Sequence, residues 1–163
     1  RSDGNFNIWG GLRQYTPEGN YFLTPNPDMT LTVPAATENV ITFGGYDNVT
    51  NAFYPKSGRG FTRENRIKPD MTAPAVNVYG PGISGGYTRR TGTSVACALG
   101  AGACAQILQW GIVEDNEPYM KNNYIKNYLI RGAERNRDIR YPSEQWGYGT
   151  INVFDSFLIL TRT

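Results

Sequence analysis

Hydrophobic and polar positions divide the chain into a β-patterned first half and a helix-patterned second half. Phe6, Ile8 and Trp9 form a strand-like run closed by Gly10-Gly11. Tyr21-Phe22-Leu23 forms another, after the turn residues Pro17 and Gly19. Pro25-Asn26-Pro27 is a natural boundary. From Met29 to Val33 apolar residues alternate with threonine, as in a half-buried strand, until Pro34 breaks the run. The segment 40–46, VITFGGY, is a better strand, rich in β-branched and aromatic residues and ending in glycine. Residues 47–60 read as loop, a short strand is predicted around 76–79, and a Gly-rich loop follows over 80–86.

The pattern then changes. Over 95–110, apolar and small residues occupy every face, with Gly100 and Gly102 among the alanines. This predicts a buried helix, small where another element approaches closely, ending near Trp110-Gly111. A second helix is predicted from Asn116 as N-cap, with Glu117 and Pro118 in its first turn. Tyr124, Ile125, Tyr128 and Leu129 give it one apolar face, and Gly132 ends it. A third helix starts near Asn152 or Val153 and carries Phe154, Phe157 and Leu158. Strands followed by helices make the fold class α/β.

Composition narrows the picture. The chain has 163 residues, enough for one domain with a core. Hydrophobic residues at 39% and charged residues at 18% exclude a disordered chain. A net charge of +2 implies neither a nucleic-acid nor an acidic-membrane partner. No apolar run is long enough to span a bilayer. Cys97 and Cys104 are too few for a disulfide scaffold, and helical spacing puts their Cα atoms roughly 10 Å apart, beyond bridging reach. Both read as small buried hydrophobes. There is no histidine, so no histidine base can come from this chain. The first residue is Arg1, which gives the expectation of a chain cut from something longer.

One motif carries chemistry. Gly92-Thr93-Ser94-Val95-Ala96 stands at the mouth of the buried helix. A serine there sits among unpaired backbone N–H groups, which with the helix dipole favour developing negative charge. A tetrahedral oxyanion beside Ser94 would use the same donors. The alternative is plain: Ser and Thr are ordinary N-caps. Elsewhere, Asp47, Asn48 and Asn51 offer oxygen ligands in a spacing that matches no defined calcium loop, so they read as a polar turn. Arg131, Arg135, Arg137 and Arg140 around Glu134 and Asp138 read as a solvated, salt-bridged surface. The 11 tyrosines read mainly as core.

Four segments together resemble the subtilisin-like serine proteases, the subtilase or peptidase S8 family. Lys68-Pro69-Asp70 through Ala73-Pro74 resembles the family's "KPD…AP" segment, and Gly92-Thr93-Ser94-Val95-Ala96 its nucleophile motif G-T-S-x-A. Val33-Pro34-Ala35 followed by residues 39–44 resembles "PA…VITVG", and residues 147–153 resemble "GxGxINV". The order and spacing fit over about residues 28–158. The resemblance implies the C-terminal portion of a subtilisin-like parallel-sheet fold, 28–163, preceded by a short β segment, 1–27. That segment resembles the exit of a jelly-roll domain inserted in clostridial-type subtilases. Of the catalytic residues only Ser94 is implied here, since the family's order is Asp, His, Ser. The α/β-hydrolase order, Ser then acid then His, is disfavoured because no histidine follows Ser94. Asp70 is implied to be structural. Two departures stand out: Ala98 replaces the family's Pro, and Ala75 replaces its Gly, which would be strained if that site needs positive φ.

The resemblance implies a serine endopeptidase working through an acyl-enzyme on Ser94, with the triad's Asp and His upstream. The isolated chain is then expected to be inactive. Its partners are a protein or peptide substrate and the upstream part of the same protein, with no nucleic acid or membrane. No cofactor is implied, and calcium enters only as a structural ion with no assignable ligands. Family resemblance favours a secreted, cell-surface or spore-associated location. The alternatives are a pseudoprotease serving binding or regulation, and an independently folding binding module.

Overall fold

The 40–46 segment does become a strand, but it starts later and ends later than its pattern suggests. In the computed structural model, which describes residues 6–11 and 15–162, β1 runs Phe43–Asp47. Its start is set by a side chain, because Thr42 N–H donates to Asp70 Oδ2 at 2.7 Å instead of to a neighbouring strand. A two-residue strand, β2 at Ala52–Phe53, pairs antiparallel with Tyr46 and Asp47, inside the stretch read as loop. β3, Met71–Pro74, lies parallel to β1 in register Phe43↔Met71, giving the sheet order β2-β1-β3. β3 was not foreseen: it is four residues long, ends on Pro74, and is too buried for alternation to show. A separate antiparallel hairpin, β4 Val78–Pro81 and β5 Tyr87–Arg90, replaces the single strand expected near 76–79.

Helix α1, Thr93–Leu108, packs on β1 and β3 through buried Ala96, Gly100, Ala103 and Ile107. A π-helical turn, Gln109–Val113, extends it. By length and composition alone these 21 residues would suffice to cross a membrane, which corrects the expectation that no run was long enough. Ala96, Gly100, Ala103 and Ile107 nevertheless pack them against the sheet. The expectation of burial on every face is also corrected. Cys97, Ala98, Leu99, Ala101, Gly102 and Ala105 are exposed, because the sheet covers one face only.

α2 runs Asn122–Gly132, later than predicted, with Lys121 rather than Asn116 at its N-cap. Asn116 Nδ2 donates instead to Trp110 O at 2.8 Å, satisfying a carbonyl at the end of the preceding helix. The predicted end at Gly132 holds. α3, Val153–Leu160, is capped by Asn152, whose Oδ1 accepts from Asp155 N–H at 3.0 Å. It buries Ser156 and Leu160, while Phe154 faces solvent. Met71, Ile107, Met120, Ile125, Leu129 and Leu160 form the main core.

Residues 1–5 and 12–14 of the expected β segment lie outside the described residues. Among those of 6–27 that are described, no strand is present. Phe6, Ile8, Tyr15, Tyr21 and Leu23 are all exposed, and Trp9 is tied down by its indole N–H donating to Met29 O at 2.9 Å. The run 29–33 is not a strand either: Met29 takes φ 55, and Met29 and Thr30 bond across to Gly60 and Arg59.

Candidate active site

Ser94 is placed by a chain of backbone contacts that begins at β1. Ala75 N–H donates to Tyr46 O at 2.8 Å, which continues the β1–β3 pairing by one residue. Ala75 O then accepts from Gly92 N–H at 2.8 Å. Between these points the chain makes the β4–β5 hairpin and returns, closed at its base by Asn77 N–H donating to Thr91 Oγ1 at 2.9 Å. Ala75 has no positive φ and is fully buried, so the feared strain is absent. Space for its methyl comes from Gly45, where an added Cβ would stand 2.6 Å from the Ala75 Cβ.

Gly92 is the hinge into the helix. Its φ of 154° and ψ of 158° lie in a region open essentially to glycine alone. Helical bonding starts beyond it, with Val95 N–H donating to Gly92 O at 3.0 Å. Gly92 is the N-cap, and no side chain caps α1. Thr93 and Ser94 therefore lie inside the first turn, and neither hydroxyl serves as a cap. Ser94 is exposed and is the second residue of a helix of 16 residues, in the turn whose N–H groups begin the helix. The helix runs unbroken through Ala98. A cleft of about 460 Å³ opens beside Thr93, walled by Leu31, Ala35, Phe43, Lys56 and Arg59.

The strand behind this site is held by a buried charge cluster. Asp70 is fully buried. Its Oδ2 accepts from Lys68 Nζ and from Thr42 N–H, each at 2.7 Å. Its Oδ1 lies 2.5 Å from Lys126 Nζ, an ion pair out of hydrogen-bond alignment. Lys68 Nζ also donates to Val40 O at 2.6 Å. Burial lowers the Lys68 pKa, and Asp70 acts against that shift. Lys126 was not singled out from sequence, since nothing in its local pattern on α2 points to β3.

The remaining expectations fare unevenly. Both cysteines are free. Cys97 is exposed rather than buried, one helical turn from Ser94, whereas Cys104 is half-buried and burial raises its thiol pKa. Asp47 Oδ1 accepts from Val49 N–H at 2.9 Å, so its carboxylate caps its own turn and its pKa is lowered mainly by that bond. Among the described residues no cluster of His, Cys, Asp and Glu could hold a metal. The arginine cluster is solvated without salt bridges among the described residues: Arg135 donates to Ile130 O at 2.7 Å, and Arg131 lies over Tyr128 at 6.0 Å. Six tyrosines, among them Tyr79 and Tyr87, are exposed rather than core. Those two stack on the hairpin at 5.2 Å, with Arg89 over Tyr79.

Comparison with known proteins bears on the family of the chain. The sequence model of the subtilase family (peptidase S8) matches residues 2–149. Membrane-bound transcription factor site-1 protease of Mus musculus is 30% identical over 138 residues, covering 81% of this chain and 12% of that protein. Pyrolysin of Pyrococcus furiosus is 31% identical over 125 residues, covering 72% and 9%. Among solved structures, the Clostridium perfringens CspB protease aligns with a TM-score of 0.82 at 36% identity, over 86% of this chain and 31% of that one. The patellamide maturation protease PatA aligns with a TM-score of 0.66 at 26% identity, over 84% and 48%. The chain spans less than half of each of these proteins.

Proposed function

The chain belongs to the subtilase family, and from that premise we propose that Ser94 is the nucleophile of a serine endopeptidase. The observation that carries this is local. Ser94 is exposed on the first turn of α1, its hydroxyl unused as a cap, behind a glycine in a backbone region other residues avoid. In the proposed reaction Ser94 Oγ attacks the scissile carbonyl carbon and passes its proton to a histidine on an upstream part of the protein. The amine leaves with that proton, and water then releases the acyl group from Ser94. The Ser94 backbone N–H supplies one contact to the oxyanion. The cleft of about 460 Å³ is lined by Thr93, the residue before the serine, and not by Ser94 itself.

The upstream part is also a packing partner in this reading. Among the described residues, α1 leaves a run of small apolar residues uncovered and β1 has only the two-residue β2 on its outer side. An upstream segment supplying a further strand would pair with β1, and one supplying a layer on the side of α1 away from the sheet would cover the helix.

A fluorophosphonate probe tests the proposal. The full-length protein should be labelled at Ser94, and Ser94→Ala should abolish labelling without loss of folding. The isolated chain, lacking histidine, should label at least ~100-fold more slowly, in line with loss of a general base. Equal labelling of the two would overturn the division of the triad.

A further inference from the structure

A second cavity lies between the end of β1 and the loop 134–141, and it shares no lining residue with the cleft beside Thr93. It measures about 210 Å³. Three rings wall it, Tyr46, Tyr141 and Trp146, with Glu134 and Asn51 on its polar side. The rings are held in place. Tyr46 and Trp146 lie with centroids 5.9 Å apart, and Phe53 meets Trp146 edge-on at the same distance. The Tyr141 hydroxyl accepts from Asn136 N–H at 3.2 Å, and Asn136 Oδ1 accepts from Asp138 N–H at 3.0 Å, so the loop closes on its own bonds.

Glu134 is fixed by its backbone and free at its side chain. Its N–H donates to Thr150 O at 2.9 Å and its carbonyl accepts from Thr150 N–H at 3.0 Å. Its carboxylate makes no ion pair among the described residues. Its charge nevertheless reaches the cavity: the Tyr46 hydroxyl has a raised pKa, first through burial and then through Glu134.

Aromatic rings and an unpaired carboxylate attract the same ligand, a cation. A metal ion is the poorer occupant, because hard cations need several oxygen ligands and no three-residue acidic cluster is present among the described residues. The volume falls below the roughly 300–1,000 Å³ of sites for drug-sized ligands, yet it admits one head group. Asn51 and Thr150 line the wall and offer acceptors, which an N–H-bearing cation can use and a quaternary one cannot. Arg135, Arg137 and Arg140 share the loop with Glu134 and Asp138, so the wider field does not draw cations in. Arg135 is turned away onto Ile130 O. Attraction must come from short-range contact with the rings and Glu134. We propose that this cavity binds a primary alkylammonium group, the chemistry of a lysine side chain or of a free aliphatic amine.

The test is a titration of the full chain with n-butylammonium chloride, followed by NMR at the Trp146 indole N–H and the Glu134 amide. Saturable shifts are expected that neither sodium chloride nor 1-butanol reproduces. Glu134→Gln, which leaves the backbone bonds intact, should weaken binding roughly fivefold, the upper range for an exposed ion pair. N-acetyl-lysine-N-methylamide distinguishes the sources. Tighter binding than butylammonium assigns the site to a lysine of a polypeptide, and equal or weaker binding assigns it to a free amine. The proposal is overturned if butylammonium does not saturate, if 1-butanol binds as well, or if Glu134→Gln binds unchanged. The comparison of butylammonium with butanol needs no variant, so it stands even if Glu134→Gln disturbs folding.

Discussion

Asp70 shows how much one buried side chain can organise. Two lysines and a backbone amide converge on its carboxylate, and together they tie the start of β1, β3 and α2 at one point. Burying such charges is costly, as the lowered Lys68 pKa records, so the cluster is better read as a positional device than as a source of net stability. Removing one partner is a different matter, because it leaves charge uncompensated. Asp70→Asn should destabilise the chain by about 3–5 kcal/mol, read from urea unfolding. A loss under about 1 kcal/mol would mean the cluster relaxes into water. The Lys68-Pro69-Asp70 half of this cluster is visible in sequence as a motif. The Lys126 half is not, because only the folded chain brings α2 beside β3.

At the scale of elements, the sequence is legible where one strong local signal acts alone. Asn152 caps α3 as its residue type predicts, and α2 ends at Gly132 as expected, although that glycine has no positive φ and instead leaves room for Ser156. Gly92-Thr93-Ser94 opens α1 where the motif places it, although the cap is Gly92 and not a hydroxyl residue. Legibility fails where a tertiary partner decides. Asn116 has the chemistry of an N-cap, but it spends its amide on Trp110 O. β3 has no periodicity, since all but its last residue is buried. The contact between β1 and the segment after β3 is the case with consequences for the site. Gly45→Ala would force a methyl against Ala75 and cost about 1–3 kcal/mol as an overpacked core position. Adding Ala75→Gly should restore most of that loss, giving a coupling energy of opposite sign in a double-mutant cycle. Because Ala75 O holds Gly92 N–H, Gly45→Ala in the full-length protein should also slow fluorophosphonate labelling at Ser94. Stability loss with unchanged labelling would show that the hairpin, not Ala75, sets the position of the serine.

For the whole molecule, the informative feature is the half of α1 that none of the described residues covers. A 16-residue helix of this composition buries Ala96, Gly100, Ala103 and Ile107 and leaves Cys97, Ala98 and Leu99 in solvent. The sequence pattern foresaw apolar residues on every face, and the further layer proposed above would cover the face left open. The two cysteines report on it directly. In the isolated chain, exposed Cys97 should react with a maleimide at least ~10-fold faster than Cys104, which is half-buried with a raised thiol pKa. In the full-length protein, the upstream part proposed to complete the sheet should cover α1 and slow Cys97 to the rate of Cys104 or below. Peptide mapping after timed alkylation separates the two sites. Fast labelling of Cys97 in both forms would place the missing layer elsewhere and leave the exposed face of α1 as surface.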